Sequence, residues 1–156
     1  MADPLQMPGV PATVLIFVRT DCPISNRYAP EIQRIAARFS AQGVKFWLVY
    51  PDASETADSI EKHRAEYHYE VGVLRDPKHV LVNAAKVRVT PEAAVFLPGR
   101  KLVYHGRIDN RYVDFGKARP APTTHDLEAA LDAVMAGKPA PNETTRAVGC
   151  YLADLR

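Results

Sequence analysis

At 156 residues the chain is long enough to bury a substantial core as one domain without disulfides or metals. Its 47% hydrophobic and 24% charged residues are ordinary for a globular protein, and a net charge of +2 argues against nucleic-acid and anionic-membrane partners. No apolar run approaches the roughly 20 residues needed to span a bilayer. The N-terminus lacks a basic region followed by a long apolar stretch, so no leader is read, and a mature domain stripped of its leader would look the same. Localisation stays open between a bacterial periplasmic or extracellular setting and the cytoplasm.

Residues 1–12, with Pro4, Pro8, Gly9 and Pro11, read as an extended lead-in. Val14 to Val18 is an uninterrupted apolar run, the pattern of a strand buried on both faces. It breaks at Arg19-Thr20-Asp21, and Cys22 follows. Tyr28, Ile32, Ile35, Ala36 and Phe39 then recur at helical spacing, predicting an amphipathic helix from near the cysteine to about Gln42, stopped by Gly43. Val44 to Tyr50 is a second buried strand. Asp52 and Glu55 form a capping-box-like start to a helix near 54–68. Val71 to Leu74 is a short strand, and Pro77 to Val87 a short helix with Val80, Leu81, Ala84 and Val87 inward. Ala93 to Leu97, a turn at Pro98-Gly99-Arg100-Lys101, and Leu102 to Arg107 predict a hairpin. Arg107 to Pro122 reads as a loop of about 15 residues, long enough to be functional or mobile. Thr123 or Thr124 caps a last helix with Leu127, Ala130, Leu131, Val134 and Met135 on one face, ended by Gly137. The tail from Pro139 to Arg156 reads as irregular and carries the second of the two cysteines, Cys150.

A cysteine at a strand-to-helix turn meets free backbone N–H groups and the positive end of a helix dipole, which favour thiolate. Cys22-Pro23-Ile24-Ser25 after a buried strand, with Pro30 eight residues past the cysteine, resembles the active-site turn and kinked first helix of thioredoxin-fold proteins. Thr90-Pro91 ahead of Ala93–Leu97 resembles that fold's cis-proline loop. With the Pro98-Gly99 hairpin and the extra segment Val71–Asp76, the chain is most similar to the redoxin branch, which includes peroxiredoxins of the AhpC/TSA type and periplasmic thioredoxin-like proteins. The resemblance covers roughly residues 12–109. It implies an α/β thioredoxin-like fold, a central mixed sheet with helices on both faces, followed by a C-terminal helix and tail over about 110–156. One domain, 1–156, is expected.

The resemblance makes Cys22 the nucleophile and Pro91, with Thr90, the shaper of a substrate groove. Thr20, Asp21, Pro23 and Ser25 are the local candidates for binding and tuning, with Arg19 a candidate counter-charge. Asp21 opposes thiolate formation if it points inward, and serves as a cap or turn residue otherwise. Ser25 stands where the family's usual Cys-x-x-Cys has its second cysteine, so no local dithiol exists. Three readings remain open: Cys150 resolves Cys22 from the tail, as resolving cysteines do in many peroxiredoxins; Cys22 works alone with an external thiol; or both are unreactive core fillers. A Cys22–Cys150 link could equally be structural.

Peroxiredoxins carry Pro-x-x-x-Thr/Ser-x-x-Cys, but here Leu15 and Arg19 occupy the proline and Thr/Ser positions. Arg107 or Arg111 would have to supply a guanidinium for peroxide. Thiol–disulfide exchange asks only for a thiolate, a groove and a cis-proline. The expectation is therefore a thiol–disulfide oxidoreductase acting on a protein or small-molecule thiol or disulfide. A peroxidase reducing hydroperoxides is the second reading, and a non-enzymatic thiol- or metal-binding module the third. No cofactor is expected. No metal site is expected either, because His63, His68, His79, His105 and His125 form no ligand-spaced pair. His105 could approach the cysteine loop, and Asp109-Asn110-Arg111-Tyr112 could border its groove.

Overall fold

A computed structural model describes residues 3–152; the last four residues of the expected tail lie outside them. The hub is β1 (Thr13–Phe17), all of it buried. It pairs in parallel with β2 (Lys45–Tyr50) and antiparallel with β5 (Glu92–Leu97). With β3 (Gly72–Arg75) and β6 (Lys101–Gly106) outside them, the sheet order is β3-β2-β1-β5-β6. A strand flanked on both edges and covered on both faces has no solvent side, hence the unbroken apolar run.

Side chains alternate along β1 into two cores. Val14 and Ile16 meet Ile32, Ile35 and Phe39 of α2 (Ala29–Ser40) and Leu127 and Leu131 of α5 (Asp126–Met135). Leu15 and Phe17 meet Leu5 of the lead-in and Val82 and Ala85 of α4 (Val80–Ala85). The kinked first helix is two pieces, α1 (Pro23–Arg27) and α2, parted at Tyr28. Pro30 sits in the first turn of α2, where its missing N–H costs nothing.

Several boundaries differ from expectation, each for a local reason. The third helix, α3, is Ala57–Glu66, and Thr56 with Ser59 forms its capping box. Asp52 instead closes a turn onto Ser54, and Glu55 reaches away to Thr20. Of the residues expected to face inward around α4, Leu81, Ala84 and Val87 pack on the core, but Val80 is 61% exposed, and Val82 and Ala85 are the helix's buried residues. The Asp76 carboxylate accepts from Leu81 N and Val82 N at 3.1 and 2.8 Å at the start of this helix. In α5 the N-cap is His125, and Thr124 donates to Asp126 rather than capping. The expected loop 107–122 contains a hairpin, β7 (Tyr112–Asp114) with β8 (Lys117–Ala118), turning through Gly116 at φ +80°. Its residues are largely exposed, so no apolar alternation announced it.

The tail is irregular over most of its described length, as expected, but it is fastened to the rest of the chain at two places. Glu143 O accepts from His105 N at 3.0 Å and Thr145 N donates to His105 O at 3.3 Å, stitching the chain to the edge of β6. Residues Cys150–Tyr151 then form β9, antiparallel to β4 (Val89–Thr90).

Surface charge ties α2 to α5. Glu128 accepts from Arg34 at 2.8 Å and from Arg38 at 2.6 Å, and these bonds, Arg34 first, hold its carboxyl at about 2. The folded value lies below that of an unfolded glutamate, about 4.3. The cluster therefore stabilises the fold above that unfolded value, and the contribution is lost as pH falls through the folded one. Glu128→Gln should cost about 0.5 kcal/mol at pH 7 once solvent screening is allowed for, with the deficit vanishing near pH 2. Denaturant melts of both proteins across that range would measure it; a pH-independent deficit would contradict the assignment.

Candidate functional site

Cys22 leaves the C-terminal end of the β1 region and becomes the N-cap of α1, with φ −93° and ψ 112°. Pro23 at the first helical position suits the missing N–H of a helix start. The Cys22 sulfur accepts from Ser25 N at 3.5 Å, and the thiol donates to Thr90 O at 3.3 Å. Cys22 is fully buried. Because the cysteine itself is the cap, Asp21 sits one residue too early to be one. It is exposed and ion-paired with Arg19 at 3.3 Å, which also occupies the expected counter-charge.

The other local candidates act through their backbones. Thr20 N donates to Glu55 Oε1 at 2.9 Å, and Thr20 O accepts from Asn26 Nδ2 at 3.0 Å. Asn26 Oδ1 lies 2.7 Å from His63 Nε2, and His63 Nδ1 lies 2.8 Å from Tyr50 OH. With the Asn26 amide donating to Thr20, its oxygen must accept from His63 Nε2–H, leaving Nδ1 to accept from Tyr50. Burial lowers the His63 pKa and so favours the neutral ring this chain of bonds requires. The Ser25 hydroxyl and Thr90 Oγ1 are buried and have no partner among the described residues. Glu55, buried and held above the usual carboxylate range by that burial, was read in the sequence as a helix cap. Its contact with Thr20 spans 35 positions and left no local signal.

The Thr90–Pro91 bond is cis. Glu92, next in sequence, is buried and turns to the opposite sheet face, where its Oε1 accepts from Arg88 N at 2.8 Å and Val89 N at 3.2 Å. His105 does not join the cysteine loop; its Nδ1 lies 3.6 Å from Glu92 Oε2. The Asp109–Tyr112 segment is built into the α1–α2 junction: Tyr28 OH donates to Asp109 at 2.6 Å and Arg27 to Tyr112 OH at 3.3 Å.

Cys150 arrives from the tail. Thr90 pairs with Cys150 and Val89 with Tyr151, and Leu152 N donates to Arg88 O at 2.8 Å. Gly149 packs its Cα against the Thr90 carbonyl so closely that a Cβ there would overlap the oxygen. Leu152 is buried in the core beneath α4. This strand carries the Cys150 sulfur to 2.6 Å from that of Cys22, well inside van der Waals contact. Burial, followed by the neighbouring Cys22, pushes the Cys150 pKa up. A disulfide requires about 2.05 Å, so bond formation needs a shift of roughly half an ångström.

No arginine bonds to the Cys22 sulfur among the described residues: Arg19 pairs with Asp21 and Arg107 with Asp126 at 2.7 Å. One trio of metal-type ligands, Glu31, Asp109 and His125, converges within 4.8 Å. Asp109 already serves Tyr28 and Arg111 N, and Glu31 serves Arg34. No described helix is long and apolar enough to cross a membrane.

Comparison with known proteins agrees with this geometry. Among solved structures, an uncharacterized conserved protein from Geobacillus kaustophilus is 26% identical with a TM-score of 0.78, over 90% of this chain and 76% of that one. A hypothetical protein from Sinorhizobium meliloti 1021 is 25% identical with a TM-score of 0.75, over 91% and 79%. A secreted Mycobacterium tuberculosis disulfide oxidoreductase homologous to E. coli DsbE shares the fold at 18% identity and a TM-score of 0.54, over 85% and 84%. No curated protein matches. The family model of AhpC/TSA matches residues 6–105, more than half of the chain and all five strands of the sheet. With its mixed sheet, cysteine turn and cis-proline loop, the chain belongs to the AhpC/TSA family, on a thioredoxin-like redoxin fold.

Proposed function

We propose that the protein is a thiol–disulfide oxidoreductase that cycles Cys22 and Cys150 between dithiol and disulfide. One observation carries this reading: a dedicated strand delivers the Cys150 sulfur to 2.6 Å from Cys22. In the forward step β9 and Cys150 draw aside from the buried Cys22 sulfur, and the Cys22 thiolate, accepting from Ser25 N–H, attacks a disulfide of the partner, forming a mixed disulfide and releasing one partner thiolate. Cys150 then gives up its proton and attacks the Cys22 sulfur, releasing the second partner thiol and closing the Cys22–Cys150 bond. Two electrons pass to the partner. Thr90 and Pro91 back the reacting sulfurs, while Thr20, Asp21, Pro23 and Ser25 fix the turn that presents Cys22.

The AhpC/TSA match keeps a hydroperoxide as the second reading of the oxidant. The absence of a guanidinium on Cys22 among the described residues favours disulfides. The two are separated by rates: the reduced protein should lose its Cys22 thiol to a small disulfide at least about tenfold faster than to equimolar hydrogen peroxide, with the Cys22–Cys150 peptide appearing on non-reducing peptide maps. Faster loss to peroxide would make it a two-cysteine peroxidase. Inertness to both would leave a binding module.

Gly149 sets the position of Cys150. Gly149→Ala forces its methyl into the Thr90 carbonyl and lifts β9, a displacement of about 1–3 kcal/mol. Disulfide closure in this variant should slow at least about tenfold, the rate equivalent of 1.4 kcal/mol, as read by alkylation trapping. Closure at the wild-type rate would show that β4–β9 pairing does not position Cys150.

A further inference from the structure

Two cavities flank the tail where it crosses the sheet edge. One, of about 370 Å³, is lined by Cys150, Arg19 and Arg146. The other, of about 610 Å³, is lined by Lys86, Arg88 and Arg146 over the buried Glu92–His105 pair. Val89, Arg146, Ala147 and Tyr151 border both, so the cavities adjoin along one wall.

Four cations, scattered from position 19 to 146, thus line the two cavities on either side of the tail that bears Cys150. Lys86 and Arg88 make no ion pair among the described residues, and Arg146 meets Asp114 only at 3.9 Å with its side chain 71% exposed. Opposing charge is partial: Arg19 pairs with Asp21, Asp114 lines the Cys150 cavity beside Arg146, and the Glu92 carboxylate is engaged by two backbone amides and faces His105, so the uncompensated charge is that of Lys86 and Arg88. The sulfur exposed to this space is that of Cys150, since Cys22 is fully buried and lines neither cavity.

We propose that the oxidised pair is reduced at Cys150 by a small polyanionic thiol, of the size of a short peptide or dicarboxylic acid, which enters through this cation-lined cleft. The inference rests on the oxidoreductase reading and names the reductant class for it. The incoming thiolate attacks Cys150 Sγ; the Cys22–Cys150 bond breaks, and Cys22 leaves as a thiolate accepting from Ser25 N–H. A second molecule of the same thiol attacks the mixed disulfide at its own sulfur. The disulfide of the small thiol departs, and Cys150 recovers a proton. Two thiols are oxidised to one disulfide, and the protein gains two electrons, one proton on Cys150 and a second when the Cys22 thiolate is protonated.

The test uses the full chain with its disulfide formed, reduced by thiols graded in charge: mercaptosuccinate, 2-mercaptoethanesulfonate, 2-mercaptoethanol and cysteamine. Rates are divided by thiolate concentration and intrinsic reactivity toward a neutral reference disulfide. At low ionic strength the corrected rates should fall in that order, by at least about tenfold from first to last, and the spread should collapse in 1 M salt. The exposed double variant Arg88→Glu/Arg146→Glu should invert the order. A flat series, or an order the double variant leaves intact, would overturn the cleft as a specificity device while leaving the redox pair in place. A disulfide that forms but that no thiol reduces would overturn the oxidoreductase reading itself.

Discussion

Both cysteines are held by one short piece of backbone, Arg88–Thr90. The Thr90 carbonyl accepts from the Cys22 thiol, backs onto Gly149, and sits opposite Cys150 in the β4–β9 pair. The Arg88 carbonyl accepts from Leu152. What keeps this segment in place lies on the other side of the sheet: Glu92 takes the Arg88 and Val89 amides. A buried carboxylate that satisfies the Arg88 and Val89 amides fixes the backbone whose Arg88 carbonyl then takes the Leu152 amide of the tail. The site is therefore a property of β4, although neither of that strand's two residues carries a reactive side chain.

The two thiols differ in setting. Cys22 is an element of secondary structure, capping α1 at the edge of the most buried strand. Its turn is tied through Thr20 to Glu55 on one side and through Asn26, His63 and Tyr50 to β2 on the other. Cys150 belongs to a strand that contributes two residues, is pinned by Leu152 in the second core, and faces a cleft. Burial raises the Cys150 pKa, and β9 holds its sulfur against that of Cys22. A fixed acceptor and a delivered donor are what an intramolecular exchange requires.

Much of this was legible in the sequence because its causes are local. Val14–Val18 announces a doubly covered strand and Pro98-Gly99 a hairpin, while Cys22-Pro23 with Pro30, and Thr90-Pro91, are readable as a kinked active-site turn and a cis-proline loop only through the resemblance to the redoxin branch. What escaped depends on partners distant along the chain. Glu55 reads as a cap until Thr20 is seen 35 positions away, and apolar spacing does not register the two amides that Asp76 accepts at the start of α4, where Val80 faces out. Two-residue β9 has no periodicity at all. Its only trace is Gly149, whose lack of a side chain gains meaning only once the Thr90 carbonyl is placed against it. Likewise, Arg19, Lys86, Arg88 and Arg146 form no cluster in the sequence and meet only around the tail.

The central claim is that Cys22 and Cys150 form a single redox couple. Equilibrating the protein in dithiol–disulfide buffers of graded potential and counting alkylated thiols at each cysteine by mass spectrometry tests it directly. The account predicts that both thiols disappear together in one two-electron transition, with the linked Cys22–Cys150 peptide as the product. Separate midpoints for the two cysteines, or mixed disulfides with the buffer in place of the linked peptide, would contradict it.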